Sequence, residues 1–282
     1  MLFLSRVHQH DHDEPDHDDH GGLHRDLIAT GQSMDRRHLL RLAGRFGLGL
    51  GMMQLLGCAA GATGADGTDA GSADACSARI PEETEGPYPS DGSNGPDVLS
   101  LTGVVRQDIR SSFGGLSGTA TGVPLGIDLT IVSASTCDPL EGYAVYVWHC
   151  DALGRYSLYS SGATNQNYLR GVQAADAGGK LSFQSIYPGC YAGRWPHIHF
   201  EVYRDLEAAT SVSNKIATSQ IALPKATNDL VYARDGYTGS ASNASRITLA
   251  SDMVFSDGAQ LELATMTGNV TDGITASLTV AV

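Results

Sequence analysis

The feature that most constrains this chain is a series of short runs rich in Val, Ile, Thr and Tyr, separated by Gly, Pro, Asp and Ser, that fills its last two hundred or so residues. β-Branched and aromatic residues suit a pleated, half-buried surface, and turn residues at regular intervals mark where the chain reverses. The spacing predicts strands over Leu99 to Arg106, Leu125 to Ser133, Ala144 to His149, Lys180 to Ile186, His197 to Tyr203, Ile216 to Leu223, Ala259 to Ala264 and Ala276 to Val282. No amphipathic helical pattern separates them, so the expected class is all-β, an antiparallel sandwich in one domain over residues 79–282.

The residues before it cannot add to a core. Residues 1–33 set His8, His10, His12, His17, His20 and His24 among aspartates, a biased leader that binds metals loosely at most. Residues 34–58 read as a twin-arginine export signal: Arg36-Arg37 is followed by an apolar, Gly-rich run from Phe46 to Leu56, too short for a convincing membrane span. The run ends in Leu55-Leu56-Gly57-Cys58, like a bacterial lipobox; lipidation of Cys58 is preferred to an incidental cysteine because it falls where the apolar run stops. This reading places the mature protein in the periplasm, at the cell surface on a lipid anchor, or in the medium. Residues 59–78 are an Ala, Gly, Thr, Asp and Ser tether.

The net charge of −13 stays at −11 beyond Cys58, which excludes a phosphate-backbone partner such as nucleic acid. With Cys58 set aside, Cys76, Cys137, Cys150 and Cys190 are an even set in an exported chain, so two disulfides with three pairings are expected. No CxxC pair occurs, which argues against structural zinc.

Chemistry concentrates between Trp148 and Phe200. In His197-Ile198-His199, period-two alternation sends both imidazoles to one face of a strand, where they can grip one ion. Tyr191 lies six residues earlier in a Pro-Gly-Cys-Tyr turn, and Arg194 stands between them. Phenolate and imidazole together suit Fe(III), a trivalent ion able to pull a tyrosine pKa down from about 10. Tyr156, one of 11 tyrosines, follows Leu153-Gly154-Arg155 in a loop, and on its own residues it reads as structural.

The Gly-Arg-Tyr156 segment, the Pro-Gly-x-Tyr191 turn, Arg194 and His197-x-His199 together resemble the intradiol ring-cleavage dioxygenases, the family of protocatechuate 3,4-dioxygenase and catechol 1,2-dioxygenase. The likeness runs from Thr84-Glu-Gly-Pro-Tyr88 to Gln220. It implies a β-sandwich and one non-haem Fe(III) held by Tyr156, Tyr191, His197 and His199. Tyr191 and His197 would be axial, and Tyr191 would leave the metal as an aromatic diol chelates. The same resemblance implies that Arg194 stabilises the ring as negative charge develops and that Gln220 hydrogen-bonds a later intermediate. Tyr88, Trp148 and Trp195 would line the substrate pocket, although each also reads as packing. His149 faces away from Trp148 on an alternating strand and is expected to be structural. Cys150 and Cys190 each adjoin a ligand loop, so a disulfide between them would staple the two.

The chain lacks a helical segment before the domain like that of the catechol dioxygenases, so the likeness is to compact exported members. The expected reaction takes a catechol-type aromatic diol and O2 to a muconate-type diacid, and homo-oligomerisation stays open. Two other classes compete. One is an exported sandwich that binds carbohydrate or protein through an aromatic platform; the other is a zinc hydrolase built on the two histidines, for which no carboxylate sits at a suitable spacing.

Overall fold

The computed structural model describes residues 78–282. The leader, the export signal with Cys58, nearly all of the tether and Cys76 lie outside the described residues. Eight strands form two four-stranded sheets. One sheet joins β1 (Pro124–Val132), β4 (Lys180–Ile186), β7 (Thr265–Asn269) and β8 (Gly273–Ala281) in the order β4-β1-β8-β7. The other joins β2 (Ala144–Trp148), β3 (Arg170–Ala174), β5 (His197–Tyr203) and β6 (Ala217–Ala222) in the order β3-β2-β5-β6. Every pairing is antiparallel except β1 with β8. That parallel ladder brings the C-terminal strand into the middle of its sheet.

The architecture is the expected all-β sandwich, and alternation explains its core. In β1, Leu125, Ile127, Leu129 and Ile131 are buried while Pro124 and Asp128 are exposed. They pack with Val145, Val147, Ile198, Phe200, Val202 and Ile221 from the facing sheet. Strands β2, β5 and β6, in contrast, are buried at every position. Their outer face lies under an irregular N-terminal arm, whose Val98, Leu99 and Val104 join Ala144, Tyr146, Trp148, Val172 and Tyr203 in a second apolar cluster. The arm is fastened by backbone bonds from Ile80 to Ala281, from Glu83 to Thr218 and from Val172 to Val104.

Two expected strands are therefore not strands. Leu99 to Arg106 is the arm itself, apolar because it covers a sheet, and its pairing is limited to a bridge between Val105 and Val172. Ala259 to Ala264 is a turn that touches β6 through a bridge from Leu263 to Ala222. Strands β3 and β7 were not expected, nor were two short helices, α1 (Lys225–Tyr232) and α2 (Ser240–Ala244). Among the described residues no helix is long and apolar enough to cross a membrane.

Candidate metal centre

The register of β2, β5 and β6 builds a polar row on the sheet face beneath the arm. Trp148 pairs with His199, His199 with Gln220 and His197 with Ala222, so these side chains share one face and Ile198 goes to the core. The two tyrosines come from loops at the end of this face. Asp151 organises the first loop: Oδ1 accepts from the N–H groups of Leu153 and Arg155, and Oδ2 accepts from Arg155 Nε. The second loop is held by α2, where Ser240 Oγ accepts from Cys190 N and Asn243 Nδ2 donates to Cys190 O. The loops meet backbone to backbone where Gly189 N donates to Asp151 O at 2.9 Å. A Cβ at Gly189 would lie 2.5 Å from Ala152 O, so only glycine permits this approach.

The consequence is convergence of four donor atoms. Tyr156 Oη lies 3.4 Å, Tyr191 Oη 3.2 Å and His199 Nε2 3.0 Å from His197 Nε2. Tyr156, His197 and His199 are buried, while Tyr191 is half-buried. His197 Nδ1 donates to Trp195 O, which fixes the tautomer and turns the Nε2 lone pair toward the cluster, the arrangement typical of a metal-bound imidazole. His199 is clamped by the parallel Trp148 ring, with centroids 4.9 Å apart and planes 6° apart. Its Nδ1 is buried without a partner.

Burial sets the electrostatics. It drives the His197 pKa down to about 3, helped by the nearby Arg194 charge, and it drives His199 well below the usual imidazole range. Burial, then the neighbouring Tyr191, pushes the Tyr156 phenol well above its ordinary value. The protein alone thus keeps all three neutral. Two imidazole lone pairs and two phenol oxygens crowded this closely fit a cation with N/O preference, and a phenolate here needs a high positive charge.

Arg194 is buried beside this group and anchored on two sides. Its Nε donates to Asp252 Oδ2 at 3.1 Å, and one terminal nitrogen donates to Gln220 Oε1 at 2.7 Å. Asp252 was not singled out by the sequence. Besides Arg194 it accepts from Trp195 N at 2.6 Å and from the N–H groups of Val254 and Phe255. Burial pushes its pKa up, but the Arg194 charge and these donors outweigh that and hold the carboxyl below the usual range. Gln220 spends both ends of its amide in the protein, since Nε2 donates to Thr84 O at 2.9 Å. In this arrangement it braces Arg194 and the arm.

The remaining candidates are walls. Tyr88, from the arm, packs on Tyr156 with centroids 4.9 Å apart. Trp195 is buried with Val254 and Phe255, and its indole donates to Leu223 O. Both tryptophans are buried, so neither offers an exposed ring for stacking. His149 bridges Cys150 O and Ser185 Oγ and stays out of the centre. The expected staple between Cys150 and Cys190 is absent. Both are free buried thiols directed at backbone carbonyls, Cys150 at Gly189 O and Cys190 at Arg194 O, and the Gly189 contact already joins the loops. Cys137 is disulfide-bonded.

A dioxygenase family model matches residues 94–198, a span that includes Tyr156, Tyr191 and His197 and stops one residue short of His199. Among solved structures, an intradiol ring-cleavage dioxygenase from Tetranychus urticae is 23% identical, with 72% of this chain and 94% of that chain covered and a TM-score of 0.57. The dioxygenase domain of a carbohydrate-binding fusion protein from Streptomyces sp. SirexAA-E is 21% identical over 73% of this chain and 98% of that one, at a TM-score of 0.47. Catechol 1,2-dioxygenase from Pseudomonas arvilla C-1 is 19% identical over 72% and 61%, at 0.44. No curated protein matches. In its motifs and in its fold, the chain resembles the intradiol ring-cleavage dioxygenases.

Proposed function

We propose that the chain is a non-haem Fe(III) dioxygenase that opens the ring of a catechol-type aromatic diol between its two hydroxylated carbons. The observation that carries this reading is the meeting of two phenol oxygens and the His199 imidazole nitrogen within 3.4 Å of a second imidazole nitrogen, His197 Nε2, beside a buried guanidinium. Tyr156, Tyr191, His197 and His199 would hold the iron. Bound there, Fe(III) would supply a Lewis acid able to withdraw electron density from an aromatic diol, the chemistry needed for O2 to open its ring to a muconate-type diacid.

The protein's own part is positioning and proton handling. Tyr191 alone of the four is half-buried, so it is the one that would leave the cluster and take a proton from an incoming hydroxyl onto Oη. Tyr156, His197 and His199 are walled in and stay. Arg194, always charged and fixed by Asp252 and Gln220, offers preorganised positive charge to the ring as negative charge develops on it. Trp148 locks the His199 ring plane, and Trp148, Trp195 and Phe255 keep water from the ligands. The proposal includes export by the twin-arginine signal at residues 34–58, which delivers the domain already folded around its metal.

Oxygen uptake by the iron-loaded full chain, measured on a panel of catechol, hydroxyquinol, protocatechuate and polyphenolic catechols, tests the reading. One O2 consumed per ring opened, with the diol absorbance replaced by that of a conjugated diacid, is the expected result. Iron-loaded protein that consumes no oxygen with any of these would overturn it.

A further inference from the structure

One step along β5 from His199 lies a second group of hard donors that the proposed reaction does not use. Carboxylate oxygens of Glu85, Asp91 and Glu201 lie within 4.8 Å of one another. Glu201 sits on β5, and Glu85 and Asp91 sit on the arm that crosses it. Asp91 is only 2% exposed and Glu201 is fully buried. Asp91 Oδ1 accepts from Ser93 N and Ser93 Oγ, but Oδ2 is buried with no hydrogen-bond partner. Glu201 Oε2 accepts from Tyr203 Oη at 2.6 Å, and Lys215 Nζ reaches Glu201 Oε1 at 3.3 Å and Glu85 Oε2 at 2.5 Å. One ammonium thus serves two of the three carboxylates, and the buried Oδ2 of the third, Asp91, receives nothing.

We infer that Glu85, Asp91 and Glu201 form a binding site for a hard divalent cation of the calcium class, which ties the N-terminal arm to the sheet beside the proposed iron centre. The donor set is oxygen only, which selects calcium or magnesium over softer metals. Two calcium–oxygen bonds of about 2.3–2.6 Å span up to about 5 Å, so calcium fits the observed spacing of the carboxylates once the Lys215 ammonium gives way. Lys215 does not bar the site. Its pair with Glu85 joins side chains 28% and 29% exposed and contributes about 1 kcal/mol or less, while the charge it supplies to buried Glu201 at 3.3 Å would be supplied by the divalent ion itself, so the ammonium can yield. The site has a structural purpose, because the same arm carries Gly86 against the His199 ring and Tyr88 against Tyr156.

Terbium luminescence with calcium competition on the full chain tests the inference independently of iron or turnover. Tyr203, bonded to Glu201, is placed to sensitise the ion. The expected result is a saturable emission reversed by calcium in the micromolar to millimolar range. Asp91→Asn should weaken that binding at least about tenfold, with Glu85→Gln on the half-exposed arm as a second variant if the first fails to fold, and Lys215→Met should tighten it. Emission common to wild type and all variants belongs to other acidic segments. Emission unchanged by both Asp91→Asn and Glu85→Gln, or looser binding in Lys215→Met, overturns the inference.

Discussion

Asp252→Asn is the substitution through which the supports of the site can be weighed. The carboxylate accepts from Arg194 through both of its oxygens, from Trp195 N at 2.6 Å, and from the N–H groups of Val254 at 2.9 Å and Phe255 at 3.2 Å. An amide of the same shape keeps a single oxygen. Whichever way it turns, its NH2 faces donors, and Arg194 loses a counter-charge in a place where both side chains are at most 1% exposed. Removing one member of a buried ion pair costs about 3–5 kcal/mol, and each orphaned buried donor about 1–3 kcal/mol, in part the same energy counted twice. We expect a loss of about 3–5 kcal/mol. With a urea m-value of roughly 2 kcal/mol/M for a domain of this size, the unfolding midpoint should fall by about 2 M. The double variant Asp252→Asn, Arg194→Met should recover part of the loss, because the stranded charge is gone. A midpoint within about 0.5 M of wild type would refute the claim that Asp252 anchors the Arg194 turn.

Other expectations follow from particular groups. Burial, then the neighbouring Glu83, raises the Glu262 pKa to about 8, so the folded chain keeps a proton that the unfolded chain releases near pH 4.5. That contribution is fully present below pH 4.5 and is lost as pH rises through 8, with a ceiling on the order of 5 kcal/mol, so Glu262→Gln should flatten thermal stability between pH 5 and 8; an unchanged slope counts against it. Gly86 has φ +69°, and a Cβ there would lie 3.4 Å from His199 Cε1. Gly86→Ala should therefore cost about 1 kcal/mol in denaturant unfolding and weaken iron retention on dialysis, whereas wild-type retention would show that the arm does not press on the ligand. Cys150 and Cys190 should both alkylate in unfolded, unreduced protein by peptide mass spectrometry, and recovery of a Cys150–Cys190 cross-linked peptide would contradict their free state.

The sandwich was legible because six strands write their burial into their sequence: β1, β2, β4, β5, β6 and β8 are β-rich runs bounded by turns. β3 is not legible in this way. Arg-Gly-Val-Gln-Ala carries no apolar alternation, and Arg170 is buried only because Pro89 O, Tyr146 Oη and Ser157 accept its N–H groups. The apolar run at 99–106 misleads for the opposite reason, since a segment that covers a sheet needs the same residues as a segment within one. At the site, the spacing of His197 and His199 dictates a common face. The loop tyrosines reach them through the 189–151 backbone contact, which no local pattern announces, so Tyr156 was visible only through resemblance. Asp252, 58 residues beyond Arg194, had no signal at all.

The claim on which the functional account rests is a trivalent iron held by two phenolates and two imidazoles. The visible spectrum of the purified full chain, titrated with Fe(III) under air, tests it most directly. The account predicts a red-brown phenolate-to-iron charge-transfer band that saturates at one iron per chain, shifts or bleaches in Tyr191→Phe, and is lost together with the iron in His197→Ala. A folded protein that takes up iron and stays colourless, or a band that both substitutions leave intact, would contradict it.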